Sequence, residues 1–254
     1  MAMLEFAVPP SLGALKASTT ASHLGAWLRR HFGGRLEFKF RLVSSYAELS
    51  TALTSGQVQL AWAPPMVCAQ VMRQGGTALA QCERDGQTTY RAAFLSHERH
   101  RLDLAALEGI SVSWVAREST AGYLLPRAWL ARRGVDLARA FRQETFSGSY
   151  HLSLVALVSG KAELATTYAP PASVGEGTGL ERVPPPLRAG LVVLGYTDEV
   201  ANDALVAAPG VDAEVATLLR EYFLSADDSE TLGALFGATR LVPVGADAWR
   251  ALVT

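Results

Sequence analysis

Short apolar runs alternate with amphipathic stretches along almost the whole chain, and this alternation limits the folds open to it more than any other feature. Residues 4–8 read as a strand ending at Pro9-Pro10, and residues 18–31 carry Leu24, Trp27 and Leu28 on one helical face. Leu36–Leu42 alternates as a strand, Tyr46–Thr54 is a short helix stopped by Ser55-Gly56, and residues 58–62 form a buried strand. Pro64-Pro65 suits the first turn of the helix that follows over 66–73. Residues 77–82 and 89–96 read as strands around the turn Arg84-Asp85-Gly86. Such a β-α-β rhythm predicts an α/β architecture with mainly parallel sheets.

A second set follows. Ile110–Trp114 is a short strand, and a helix runs from Ser119-Thr120 to about residue 133, with Gly134 where a C-cap is expected. Residues 142–146 read as a strand, Tyr150–Val158 as a helix stopped by Ser159-Gly160, and residues 162–166 as the next strand. Proline and glycine crowd residues 169–186, which makes this stretch a loop. Residues 191–194 form a buried strand, followed by helices around 213–224 and 229–235, a strand at 241–244 and a short final helix.

Composition sets the class. Over 254 residues, 49% are hydrophobic and 19% charged, enough to bury a substantial core and to exclude disorder as a global description. A formal net charge of −1 makes nucleic acid and anionic membrane poor partners. The apolar stretches 152–158 and 191–194 are far too short to span a bilayer. Only three of the basic residues, Lys16, Lys39 and Lys161, are lysines, so Schiff-base chemistry has few candidates. Cys68 and Cys82 lack metal-binding spacing and read as semi-buried thiols, with a disulfide as the alternative. The start of the chain shows neither a basic segment nor an apolar one before a cleavage site, as in a trimmed mature chain or a cytoplasmic protein.

Chemistry concentrates in the run from Trp114 to Pro126, where a strand ends and Ser119-Thr120 open a helix. The first amides of a helix have no carbonyl behind them and carry the positive end of its dipole. With two hydroxyls and the small pair Ala121-Gly122, they make a compact anion pocket that needs no cation. Serine and threonine also cap helices for stability alone, and spacing does not separate the two readings.

At these residues the chain resembles the substrate-binding proteins of phosphate, phosphite and phosphonate ABC transporters, in which a strand leads into Ser-Thr-Ser-Gly-Tyr with Pro three residues on. Here the run is Ser119-Thr120-Ala121-Gly122-Tyr123 with Pro126 in place. Three further stretches match in order: 46–62 with its Tyr helix and Gly-Gln-Val turn, 148–165 with a Gly-Ser-led helix, and 195–206 with Asn202-Asp203 near its end. The resemblance implies a two-lobed, type II periplasmic-binding-protein-like α/β fold with a hinge and a ligand cleft. Residues 1–94 and 197–254 would form lobe 1, and residues 95–196 lobe 2. It implies an oxyanion held at Ser119, Thr120 and Ala121, with Tyr46 and Tyr90 of the first lobe as further donors. Asp203 would face the organic end of aminoalkyl ligands. Ala121 stands where the family has a third hydroxyl. The family's histidine is replaced by Tyr150, with His151 one place later as the alternative. A monomer with no cofactor and no catalysis, delivering its ligand to an ABC permease from an extracytoplasmic address, is what the resemblance implies.

Other readings stand beside it. A sensor or enzyme on the same fold is the functional alternative, since folds do not dictate function. Trp62 serves either the core or the cleft. His97-Glu98-Arg99-His100 reads as a solvated connection rather than a metal site. The glycines of 175–179 neither follow a strand nor open a helix, as a dinucleotide loop requires.

Overall fold

A computed structural model describes residues 2–8, 14–33, 35–174, 180, 183–245, 248, 249 and 252. The chain divides into two compact units, Met1–Thr88 with Ala201–Thr254, and Thr89–Val200.

The first unit is built on β1 (Ala2–Val8), α1 (Ala14–Phe32), β2 (Leu36–Leu42), α2 (Tyr46–Thr54), β3 (Leu60–Ala63), α3 (Pro65–Arg73) and β4 (Thr77–Glu83). After the return at β10 (Val200–Ala201) it adds β11 (Ala204–Ala207), α7 (Ala213–Ser225), α8 (Ser229–Phe236) and β12 (Arg240–Val242). Its six-stranded sheet has the order β12-β4-β11-β3-β1-β2. Strand β1 runs parallel to β2 and β3, but β11 is antiparallel to both β3 and β4. The sheet is therefore mixed rather than mainly parallel, because the returning chain inserts β11 between two strands made far earlier. That strand, Ala204-Leu205-Val206-Ala207, is wholly buried. Its small residues and brevity gave no strand signal in the sequence. One face of the sheet carries the core, where Leu24, Trp27, Leu28 and Phe32 of α1 meet Leu219, Tyr222 and Phe223 of α7 and Phe236 of α8.

The second unit contains β5 (Thr89–His97), β6 (Ile110–Trp114), α4 (Leu125–Arg132), α5 (Leu137–Ala140), β7 (Phe141–Phe146), α6 (Tyr150–Val158), β8 (Leu164–Ala169) and β9 (Leu191–Tyr196). Its strands run in the order β5-β8-β6-β7, with β9 also on β5. Strand β6 is parallel to β7 and β8, whereas β5 is antiparallel to β8 and β9. Phe94, Trp114, Trp129 and Phe141 fill one face; Leu95, Leu154 and Leu157 fill the other.

The crossings fall at Thr88/Thr89 and Val200/Ala201, not at 94/95 and 196/197. Strand β5 is one continuous element of the second sheet, which places Phe94 in mid-strand and carries Tyr90 into the second unit. The turn before the first crossing is tight: Arg84 and Gln87 exchange two backbone hydrogen bonds of 2.9 Å, with Asp85 and Gly86 at φ 53° and 78°. Two central residues with positive φ suit glycine and aspartate, and match the twist of flanking strands. Instead of a hairpin within one sheet, the strands on either side enter different sheets.

The connection at 97–100 is the solvent-facing link that its charged residues suggest, with Glu98 and Arg99 exposed. Glu98–His100 form a 3₁₀ turn, and Arg99 donates to the carbonyls of Leu157 and Val158, each at 3.2 Å, capping the end of α6. The glycines of 175–179 and most of the segment read as a final helix lie outside the described residues. Among the described residues, no helix is long and apolar enough to cross a membrane.

Candidate functional site

In the second unit three parallel strands end side by side, and two of them, β6 and β7, lead into residues singled out in the sequence. Strand β6 ends at Trp114 and runs through Val115–Glu118 to Ser119. Strand β7 ends at Phe146, and its continuation is tied to β6 by bonds from Ser147 N–H to Trp114 O (2.9 Å) and Gly148 N–H to Val115 O (2.8 Å). Strand β8 ends with Tyr168 and Ala169. Open α/β sheets bind ligands outside the carboxyl ends of such strands.

Ser119 is the N-cap of a π-helical turn, Thr120–Leu124, that runs on into α4. Its Oγ accepts from Gly122 N–H at 3.2 Å, while Leu124 and Leu125 N–H reach back to the carbonyls of Ser119 and Thr120. The cap reading is thus fulfilled by Ser119. Gly122 is required by space: a Cβ there would stand 2.6 Å from both Ser119 Oγ and Val115 Cβ. π-Helical turns of this kind recur at functional sites.

Thr120 differs. Its residue is 6% exposed, and its Oγ1 is buried with no hydrogen-bond partner among the described residues. A hydroxyl in that state costs roughly 1–3 kcal/mol unless something else satisfies it. Ala121 is buried beside it. The amides of Thr120 and Ala121 open the helical segment, so this corner presents N–H groups, a hydroxyl and the positive end of a dipole together. Beneath it, Ser113 and Ser147 hydroxyls meet at 2.6 Å, and Ser153 Oγ donates to Ser113 O at 2.6 Å. These bonds tie the ends of β6 and β7 to each other and to α6. Beside the corner, Arg127 and the Trp114 indole both donate to Glu144, so that carboxylate's charge is already compensated.

Tyr150 is the first residue of α6, after the N-cap Ser149, whose Oγ accepts from Leu152 N–H at 3.2 Å. Its half-buried ring packs edge to face on Tyr168, with centroids 5.5 Å apart, whereas the His151 side chain is exposed. Sequence reasoning did not find Tyr168, which sits in no motif. Tyr90 is half-buried on β5 of the same unit. The second unit therefore brings together Ser119, Thr120, Ala121 and Tyr150 at one end of its parallel strands.

The first unit holds the other two candidates. Tyr46 is half-buried at the start of α2, behind Ser45, whose Oγ accepts from Glu48 N–H at 3.1 Å. Asp203 lies just before β11 and receives Arg84 on both oxygens, Nη1 to Oδ1 at 2.7 Å and Nη2 to Oδ2 at 3.0 Å. Trp62 Nε1 donates to the same carboxylate, and its ring packs edge to face on Phe236 at 5.5 Å. Trp62 thus belongs to the core side of its alternatives. Arg84 lies 119 positions from Asp203, beyond any local sequence signal. Cys68 and Cys82 are free and buried. Burial first, and then the charge of Asp203, push both thiols up, which makes them unreactive. Among the described residues no group of three or more His, Cys, Asp or Glu is placed to hold a metal.

Comparison with known proteins gives consistent relatives. Residues 6–249 match the family model described as ABC transporter, phosphonate, periplasmic substrate-binding protein. Among solved structures, XAC2383 of Xanthomonas citri with bound chloride superposes with TM-score 0.82 at 18% identity, covering 98% of this chain and 94% of that one. PhnD1 of Prochlorococcus marinus in complex with methylphosphonate gives 0.76 at 18% identity, covering 98% and 95%. A binding component of a phosphonate ABC transporter from Pseudomonas aeruginosa gives 0.74 at 19%, covering 98% and 85%. At these identities the likeness establishes the fold. No curated protein sequence matches the chain.

Proposed function

The chain belongs to the family of periplasmic substrate-binding proteins of phosphonate ABC transporters, and we propose that it captures a small phosphorus oxyanion at the helical corner formed by Ser119, Thr120 and Ala121. The family makes its role that of a substrate-binding component, with an ABC permease as partner and an extracytoplasmic place of work. The finer reading is ours. Thr120 Oγ1 and the amides of Thr120 and Ala121 donate to the oxyanion, Ser119 shapes the turn, and Tyr90 and Tyr150 of the same unit supply further phenol donors. Tyr150, not His151, takes the place of the family's histidine, so the donor there is a phenol O–H. The protein acts as a monomeric carrier that converts nothing chemically and uses no cofactor or nucleic acid.

One observation carries this reading: the buried Thr120 hydroxyl has no partner among the described residues, at the helix start that the motif marks out. A tetrahedral oxyanion offers the acceptor that the hydroxyl lacks, and hydrogen bonds to a charged group contribute about 1.5–3 kcal/mol each. The test is a thermal-shift and calorimetric screen against phosphate, phosphite, methylphosphonate and sulfate. A ligand at a hundred times its Kd adds about 2.7 kcal/mol to the stability of the folded state. A saturable upward shift with a phosphorus oxyanion is the expected result; equal inertness towards all four would refute the assignment.

A further inference from the structure

We propose that Thr166 is a second binding hydroxyl of the oxyanion site, a floor in β8 beneath the rim made by the π-helical turn. This inference deepens the oxyanion reading above and rests on it. Thr166 is fully buried, and its Oγ1, like that of Thr120, has no hydrogen-bond partner among the described residues. The buried serines of the same unit behave otherwise. Ser96 donates to Glu163 O at 2.7 Å, Ser111 to the Glu163 carboxylate at 2.9 Å and Ser153 to Ser113 O at 2.6 Å, while Ser113 meets Ser147 and Ser119 accepts from Gly122. Burying an unpaired hydroxyl is costly, and a bound oxyanion removes that cost for both threonines.

The topology sets the two threonines on the same side of the sheet. Side chains alternate along a strand. Ala165 packs with Leu154 and Leu157 of α6, whereas Leu164 belongs to the opposite cluster, where Tyr123 of the π-helical turn joins Trp114. Thr166, two residues on from Leu164, shares that face, and the turn packs directly against β8. Ser113 pairs with Ala165 in the parallel register, so Thr166 is level with Trp114, where β6 ends and the chain leaves for Thr120. Its cross-strand neighbour on β5 is Phe94, which offers no acceptor, and the Trp114 indole already donates to Glu144. A third buried atom without a partner among the described residues, Trp129 Nε1, lies a turn into α4 with its ring on Phe94, centroids 5.2 Å apart. A water shared by Trp129 and Thr166 is the competing assignment.

Isothermal titration of the full chain with methylphosphonate, beside calorimetric melting without ligand, separates the two. Thr166→Val removes the hydroxyl at nearly constant shape. It should weaken methylphosphonate binding about tenfold without lowering the ligand-free Tm, and Thr166→Ser, which keeps the hydroxyl, should stay within about threefold of the wild type. A valine variant with wild-type affinity overturns the inference, and a lowered Tm beside it marks the shared water. A serine variant as weak as the valine one overturns it too, because shape rather than the hydroxyl is then at work. If Thr166→Val does not fold, Thr166→Ala against Thr166→Ser decides by the same tenfold difference. A wild type that binds none of methylphosphonate, phosphite and phosphate refutes the oxyanion reading and this inference with it. Wild-type binding that the loss of the Thr166 hydroxyl leaves intact refutes only the inference.

Discussion

Replacing Thr120 by valine should move stability and affinity in opposite directions. The two side chains have nearly the same shape, so the substitution exchanges a hydroxyl for a methyl and leaves packing close to unchanged. In the ligand-free protein the Thr120 hydroxyl is buried without a partner among the described residues. Removing such a group relieves a desolvation cost of about 1–3 kcal/mol. For a chain of this size each kcal/mol corresponds to roughly 2–4 °C in Tm, so Thr120→Val should melt several degrees above the wild type. Binding should suffer instead, because a charge-assisted bond of about 1.5–3 kcal/mol is lost, equivalent to roughly 10- to 100-fold in Kd. Differential scanning calorimetry without ligand and titration with methylphosphonate read the two effects separately. A variant that is no more stable than the wild type, yet binds equally well, would show that Thr120 neither bears an unmet bond nor touches the ligand.

Tyr222→Phe is the companion control: the Tyr222 hydroxyl is also buried without a partner among the described residues. It lies in the core of the first unit, so calorimetry should find a gain of about 1 kcal/mol and titration an unchanged affinity. Gly122→Ala should lose about 1–3 kcal/mol in urea unfolding, because its methyl group would press on Ser119 and Val115 and tilt the cap. Acid should expose Glu163. Burial alone pushes its carboxyl up, but the amide and hydroxyl of Ser111, helped by Arg142, bring it below the ordinary carboxylate value. A depressed folded-state value contributes stability that is present above the unfolded-state value and lost as pH falls through the folded one. Ser111→Ala should therefore reduce stability at neutral pH and narrow its gap to the wild type on acidification, read as denaturation midpoints across pH.

Much of the architecture was legible because local signals and tertiary packing agree. Tyr46–Thr54 and Tyr150–Val158 came out as helices with the expected bounds, each behind a serine that caps it. Pro65 at the start of α3 and Gly134 after α4 did what their backbone preferences dictate. The Ser119–Pro126 run located the helical corner, although only the three-dimensional structure separates the capping hydroxyl of Ser119 from that of Thr120, which has no partner among the described residues. Residues 204–207 escaped because four small apolar residues have no periodicity to read, and their strand exists only through partners on both sides. The engagement of Asp203 was equally hidden. Its side chain looked like an available carboxylate until the fold delivered Arg84 and Trp62 to it.

The position of β11 has a consequence for the order in which the molecule is made. Residues 89–200 form one uninterrupted segment, so the second unit has all its parts as soon as the ribosome has passed them. The first unit does not: β3 and β4 are separated by a strand that begins at residue 204, and its sheet stays open until that strand arrives. Long-range pairing of this kind is slow, and it leaves unpaired edges waiting. The earlier-made part of the chain is thus the later to mature, and an export or chaperone machinery has a window in which to hold it.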